Sequence, residues 1–332
     1  MDEDPEARER TGMIRIEKCE YRGWANCYFL SNGSVELSVL ADVGPRIIRY
    51  ALTGGENQFH EFADQAGLCG GEEFRLYGGH RLWVWPEIER TYFPDNSPVE
   101  VEAIRTGAKV TASIEAQPPG TSLQKSLAVQ LSEEGSHVRL IHSIANHSSQ
   151  PTRLAPWTPT VMRPGGRGIL PLPPRAAMDK DHFQSVSPLT LWSFTDFTDN
   201  RWRLGSDFLQ LVQQEKPVGR FTEQMSGLFN AAAWGAYVRS GSLFLKRTRI
   251  EPEGQYPDFG CNFEMFTNSE FLELETLGPV VTLQPGQSVE HTEDWWLFEG
   301  LGAIESEASI RSEVVPLVEE TSRECNGVFE HM

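Results

Sequence analysis

Short runs in which apolar and polar residues alternate recur along most of the chain, and few stretches carry a helical period. Ser34-Val-Glu-Leu-Ser-Val-Leu40 alternates, and Ile47-Ile-Arg-Tyr-Ala-Leu52 follows Gly44-Pro45. A period of two puts every second side chain on one face, which is the mark of a half-buried strand. Residues 122–131 and 136–144 repeat the pattern on either side of Ser132-Glu-Glu-Gly135, so the pair predicts a β-hairpin. Further strands are expected over residues 243–250, 271–277 and 288–298. One helix is expected, over 303–320, where Ile304, Ile310, Val314, Val315 and Val318 recur at roughly helical spacing. Residues 53–77 and 164–188 read as long loops. Residues 1–11 are charged, hold no large apolar side chain, and read as a disordered lead-in.

The pattern predicts an all-β sandwich of mostly antiparallel strands, and 29 glycines and 21 prolines agree with many short strands and turns. No internal repeat or linker divides the 332 residues, so one domain is expected over 12–300, with 301–332 as a C-terminal segment packed on it. Apolar content of 39% is enough for a sizeable core. The net charge of -18 repels phosphate backbones and anionic lipid, which argues against nucleic acid and membrane surfaces as partners. Neutral sugars are indifferent to that field. Five cysteines (Cys19, Cys27, Cys69, Cys261 and Cys325) form no CxxC pair, so reduced thiols are expected rather than a disulfide framework or a zinc cluster. The N-terminus lacks an apolar signal core and no stretch of about 18 apolar residues occurs. A cytoplasmic location, as monomer or homodimer, is the expectation.

Two stretches concentrate chemistry. In Leu76-Tyr-Gly-Gly-His-Arg-Leu-Trp-Val-Trp-Pro-Glu87, two glycines allow a sharp turn or a close approach to a ligand. His80, Arg81 and Trp83 follow at once. Sugars present apolar C–H faces and hydroxyl edges, so a site for them needs flat aromatics beside forked polar groups. The competing reading is a buried structural turn with Trp83 and Trp85 on opposite sides of a strand. The second stretch runs from Asp258 to Asn268, with Asn262 and Glu264 inside it, and continues to Leu272-Glu-Leu-Glu-Thr-Leu-Gly-Pro279. In a strand Glu273 and Glu275 share one face, about 6.6 Å apart along it. Paired carboxylates in a cleft push their pKa values apart, which suits acid–base work, whereas on an open face they are merely solvated. Asp179, Asp181 and His182 have weak metal-ligand spacing. His137, His142 and His147 fall on the expected hairpin, where a structural or exposed role is the default. No phosphate-cradling loop, GxSxG elbow or HExxH helix is present.

Tyr77-Gly-Gly-His-Arg-Leu-Trp83 resembles a segment of an uncharacterised bacterial branch of the galactose mutarotase-like superfamily. So do Ala155-Pro-Trp-Thr-Pro-Thr-Val-Met-Arg-Pro-Gly-Gly166, Ile169-Leu-Pro-Leu-Pro173, the 272–279 run, Leu283-Gln-Pro-Gly-Gln287 and Glu293-Asp-Trp-Trp-Leu297. The resemblance covers roughly residues 13–300. It implies a β-supersandwich that binds a sugar across a concave sheet. Aldose 1-epimerases of that superfamily use a late-strand glutamate as base and a histidine as acid, opening and reclosing the ring as the other anomer. By that resemblance Glu275 is the base and His80 the assisting acid. Arg46, Arg81, Trp83, Trp157, Asn262, Glu264 and Glu273 are then the sugar-binding candidates. One departure stands out. The family's mid-chain histidine is missing, and the corresponding region here, 154–162, holds Trp157 instead. No cofactor or metal is expected, and the partner is a small sugar or, with Arg46 and Arg81 in the site, a sugar acid. The alternatives are a non-catalytic carbohydrate-binding module and a glycoside hydrolase or lyase using Glu264 with Glu275.

Overall fold

The structure, a computed structural model, describes residues 14–117 and 121–325; the lead-in expected at 1–11 lies outside the described residues. The alternating runs are strands, and they assort into two large antiparallel sheets, as the all-β reading expected. The expected hairpin pairs Thr121–Leu131 with Val138–Asn146, closing at Leu131 opposite Val138. Its even spacing follows the sequence: Leu123, Leu127, Val129 and Leu131 are buried while their neighbours are half exposed. Lys125, which interrupts that apolar series, is buried against Glu115 at 3.0 Å.

Two compact units are assembled from non-consecutive segments. The first takes the described residues up to 82 together with 87–152 and 283–295; the second takes 83–86, 153–282 and 296 onward. In the first, Arg15–Tyr21, Trp24–Ser31, Val35–Leu40, Arg46–Leu52 and Gly79–Arg81 pair in chain order as one layer. The second layer holds Glu100–Ile104, Gly107–Thr111, the hairpin, and the start of Ser288–Phe298. Aromatic rings fill the space between the layers, with Tyr50 at 5.6 Å and Phe59 at 5.5 Å from Trp295. The pairing slips by one residue at Ile48, between Ser38 and Val39 of the partner strand. That bulge resets the alternation and explains why Ile47-Ile-Arg-Tyr lacks a clean period.

In the second unit, Trp83–Trp85, the strand Thr152–Met162 from residue 153 on, Leu272–Leu277, Phe263–Thr267, Gln224–Leu228 and Leu189–Leu191 pair in that order. Facing them are Trp202–Leu204, Phe208–Val212, Arg167–Pro171, Trp234–Arg239 and Ser242–Thr248. The strand Arg167–Pro171 corrects the reading of 164–188 as one continuous loop. It is short and buried on both faces, so it offers no alternation to detect. The expected helix is present. It begins at Ser306, whose side chain caps it, passes through a π-helical turn at Ile310–Val314, and continues as Val315–Cys325. Ile304, Ile310, Val314 and Val318 pack on Trp234, Leu245 and Trp296, which anchors this segment within the unit.

The paired glycines have a reason other than ligand approach. A Cβ on Gly78 would lie 2.0 Å from the His60 carbonyl oxygen, and one on Gly79 would lie 2.2 Å from that of Ile47. Both have positive φ, at 98° and 70°. They allow two backbones to pass at contact distance. Gly79→Ala is therefore expected to lower stability by more than about 2 kcal/mol, from left-handed strain plus the clash. A urea midpoint equal to that of the wild type would show that the backbone here has room to move.

Candidate functional site

Along Leu272–Leu277 the even residues turn toward the facing layer of their unit. Leu272 closes on Gly168, and Leu274 on Gly235. Glu273 and Glu275 therefore take the other, outer face of that sheet, as the alternation predicts. They are buried there rather than solvated. Glu264 stands directly opposite Glu275 on the neighbouring strand, so its Cβ is about 5 Å away. Room for it comes from Gly227, where a Cβ would lie 2.6 Å from Glu264 Cγ. Three carboxyl groups thus share one face of two strands.

The indole N–H of Trp157 donates a hydrogen bond to Glu275 Oε2. Trp83 lies opposite Trp157 in the register, and the rings meet edge to face at 4.9 Å. Trp83 and Trp85 are two residues apart in one strand and occupy the same face, not opposite sides of it. Trp85 donates its indole N–H to Asp258 at 3.2 Å and carries the Arg153 guanidinium over its ring at 5.5 Å. It opens onto a cleft of about 870 Å³ bounded also by Phe229, Tyr256, Asp258 and Phe259. Phe259 is 91% exposed on this rim. The cleft wall does not include the three glutamates. Asn262, a substrate-binding candidate, clamps the Asn230 backbone. Its Oδ1 accepts from the Asn230 backbone N–H at 2.7 Å and its Nδ2 donates to the Asn230 carbonyl at 3.2 Å.

The remaining candidates belong to the first unit. Arg46 and Arg81 face each other across paired strands, and His80 pairs with Ile47. Consecutive residues point to opposite faces, so His80 and Arg81 cannot serve the same one. Arg46 is fully buried, with its donors directed to the Leu76 and Gly78 carbonyls and to Asp95 at 2.6 Å. Its guanidinium thereby latches the 76–78 turn. Arg81 also donates to the Leu76 carbonyl and lies over Phe74 at 5.2 Å.

His80 turns inward and has no exposed surface. Its ring stands edge-on to Trp295 at 4.7 Å, and its Nε2 is 2.7 Å from His142 Nε2 and 3.9 Å from Glu293. The assignment of His80 as proton donor to a sugar does not fit a ring enclosed between the layers of its own unit. His142 and Glu293 were not singled out as site residues. The hairpin alternation that buries His142, with Glu293 in phase with Trp295, was the available signal. Asp179 and His182 pair at 2.8 Å within an exposed turn.

No protein-family profile and no curated protein matches the sequence. Solved structures do match in fold. A galactose mutarotase-like protein from Lactobacillus casei ATCC 334 aligns with TM-score 0.55 at 10% identity, over 82% of this chain and 100% of that one. A galactose mutarotase related enzyme from Lactobacillus acidophilus gives 0.51 at 10% identity, over 84% and 100%. A TPR-domain containing protein from Parabacteroides distasonis ATCC 8503 gives 0.54 at 14% identity, over 84% of this chain and 48% of that one. The chain shares the fold of these structures, two of them described as galactose mutarotase-like or galactose mutarotase related, and at these identities the likeness concerns the fold alone.

Two expectations follow. Trp157→Phe and Glu275→Gln should be non-additive in urea unfolding by about 1.5–3 kcal/mol, the worth of a hydrogen bond to a charged group; additive losses would mean that the indole–carboxylate contact contributes nothing. The second concerns pH. Burial pushes the Asp95 carboxyl up, but the charges of Arg46, Arg81 and Lys125 and the hydrogen bond from Arg46 outweigh it and hold the group below its ordinary value. With the unfolded value near 3.9, its stabilisation is complete above about pH 4 and is lost as pH falls through the folded value. Asp95→Asn should therefore cost stability at neutral pH and progressively less below about pH 4. An equal cost at both would exclude this linkage.

Proposed function

We propose that this chain binds a sugar on the aromatic outer face of its second unit and interconverts the sugar's anomers with Glu275 as general base. The observation that carries the reading is the hydrogen bond from Trp157 to Glu275, beside Trp83 and opposite Glu264. The indole N–H shows that Glu275 can accept from a donor on this face, which is what a general base does for an anomeric hydroxyl. Neighbouring buried carboxyls do not both ionise. A donor on Glu275 favours the charge there and leaves the proton on Glu264, the acid in this scheme in place of the missing histidine. The base takes the anomeric proton, the ring C–O bond breaks, and the ring oxygen receives the acid's proton. Rotation of the new carbonyl and the reverse steps give the other anomer, with no net change in protons. Trp85 and Tyr256 in the adjoining cleft supply stacking surface for the ring.

A second reading, binding without turnover, is favoured by one observation: Glu264 and Glu275 are each 1% exposed and neither lies on the cleft wall. Polarimetry on a panel of neutral sugars and uronates separates the two. Catalysis predicts anomer equilibration that drops by about 10²-fold or more in Glu275→Gln, with binding retained. Saturable binding that is lost in Trp85→Ala, without any turnover, supports the module. A mutant rate equal to that of the wild type removes Glu275 from the chemistry, and no binding by any sugar sinks both readings.

A further inference from the structure

The buried cluster of the first unit has a different chemistry. Among the described residues, His80, His142 and Glu293 bring their ligand atoms within 4.8 Å of one another, and all three are buried. His80 comes from one layer of that unit, and His142 and Glu293 from the other.

Hydrogen bonding fixes the ring tautomers. His142 Nδ1 lies 2.9 Å from the His291 carbonyl oxygen, which can only accept, so Nδ1 carries the proton. In the neutral ring His142 Nε2 therefore presents a lone pair, and at 2.7 Å the proton between the two rings belongs to His80 Nε2. Glu293 is oriented in turn by the Trp295 indole N–H, which donates to its Oε2 at 2.8 Å. Imidazole oriented by a backbone carbonyl, and carboxylate oriented by a neighbouring donor, are the outer contacts that metal ligands use.

We infer that His80, His142 and Glu293 form a binding site for a divalent transition metal of the zinc type. Two imidazoles and a carboxylate, with a water in the fourth position, are a zinc donor set. Two donors on one tetrahedral zinc stand about 3.3 Å apart. The His–His distance has to open from 2.7 Å and the His80–Glu293 distance to close from 3.9 Å, each by about 0.6 Å, while His142 Nε2 and Glu293, which lie within 4.8 Å, also have to come to about 3.3 Å on the ion. His142 Nε2 already offers its lone pair. The His80 ring proton moves from Nε2 to Nδ1, which frees the second lone pair with no net proton released. Because the site has no exposed surface, the ion enters as the unit folds, so that binding and folding are coupled. The inference is independent of the sugar reading, which concerns the other unit.

The test uses the full-length chain unfolded and refolded with zinc chloride or with a chelator, then passed through gel filtration. The site predicts a single zinc retained per chain and a higher melting temperature with zinc. Glu293→Gln and His142→Gln should lose the ion. Trp295→Phe should weaken zinc binding by about 10- to 100-fold through loss of the outer contact. Cobalt chloride in place of zinc should give the intense visible absorption of a four-coordinate site. Zinc retained equally by the variants, or none retained by the refolded wild type, overturns the assignment. If the variants fail to fold, the wild-type cobalt spectrum decides, and a spectrum of six-coordinate aqueous cobalt overturns it too.

Discussion

A residue in a strand can serve one face of its sheet and no other, and the arrangement at 79–85 follows from that constraint. His80 goes between the layers of the first unit, to meet His142 and Trp295. Arg81 takes the opposite face with Arg46. In the second unit Trp83 and Trp85 share a face, which the strand carrying Trp157 extends. A dense sequence cluster is thereby dealt to different environments. The close backbone approach at Gly78 and Gly79 fixes the register that makes this separation strict.

Buried charge is the second organising feature, and most of it serves the backbone. Arg46 gathers the 76–78 carbonyls, and Arg201 gathers those of Phe221 and Thr222 while pairing with Asp199. Loop carbonyls without a ladder partner need donors, and a guanidinium supplies several in one plane. An arginine near an aromatic cluster is thus poor grounds for expecting an anionic ligand. Asn262 makes the same point for amides.

Strand existence was legible from alternation: the hairpin and the late strands at 272–277 and 288–298 fall where the period of two puts them. The C-terminal helix was legible from Ile310, Val314 and Val318. Arg167–Pro171 was not, since both its faces are buried and its five residues show no alternation. Within the site, the shared face of Glu273 and Glu275 could be read from spacing alone, and so could Trp83 with Trp85 had the same parity been applied to them. The partners could not. That Glu264 faces Glu275, or that His142 meets His80, depends on which strands become neighbours, and one-dimensional periodicity does not carry that.

Lys246 shows what the second unit does with its own charge. Its ammonium is buried on the inner side of the sheet, donating to the Thr158 carbonyl at 3.0 Å and to that of Leu274 at 3.1 Å. Leu274 lies between Glu273 and Glu275, whose side chains leave by the other side. One thickness of backbone therefore separates a cation from a row of acids, like the plates of a capacitor. Lys246 thus ties two strands of that sheet together from behind, at a place that no ligand on the outer face can touch.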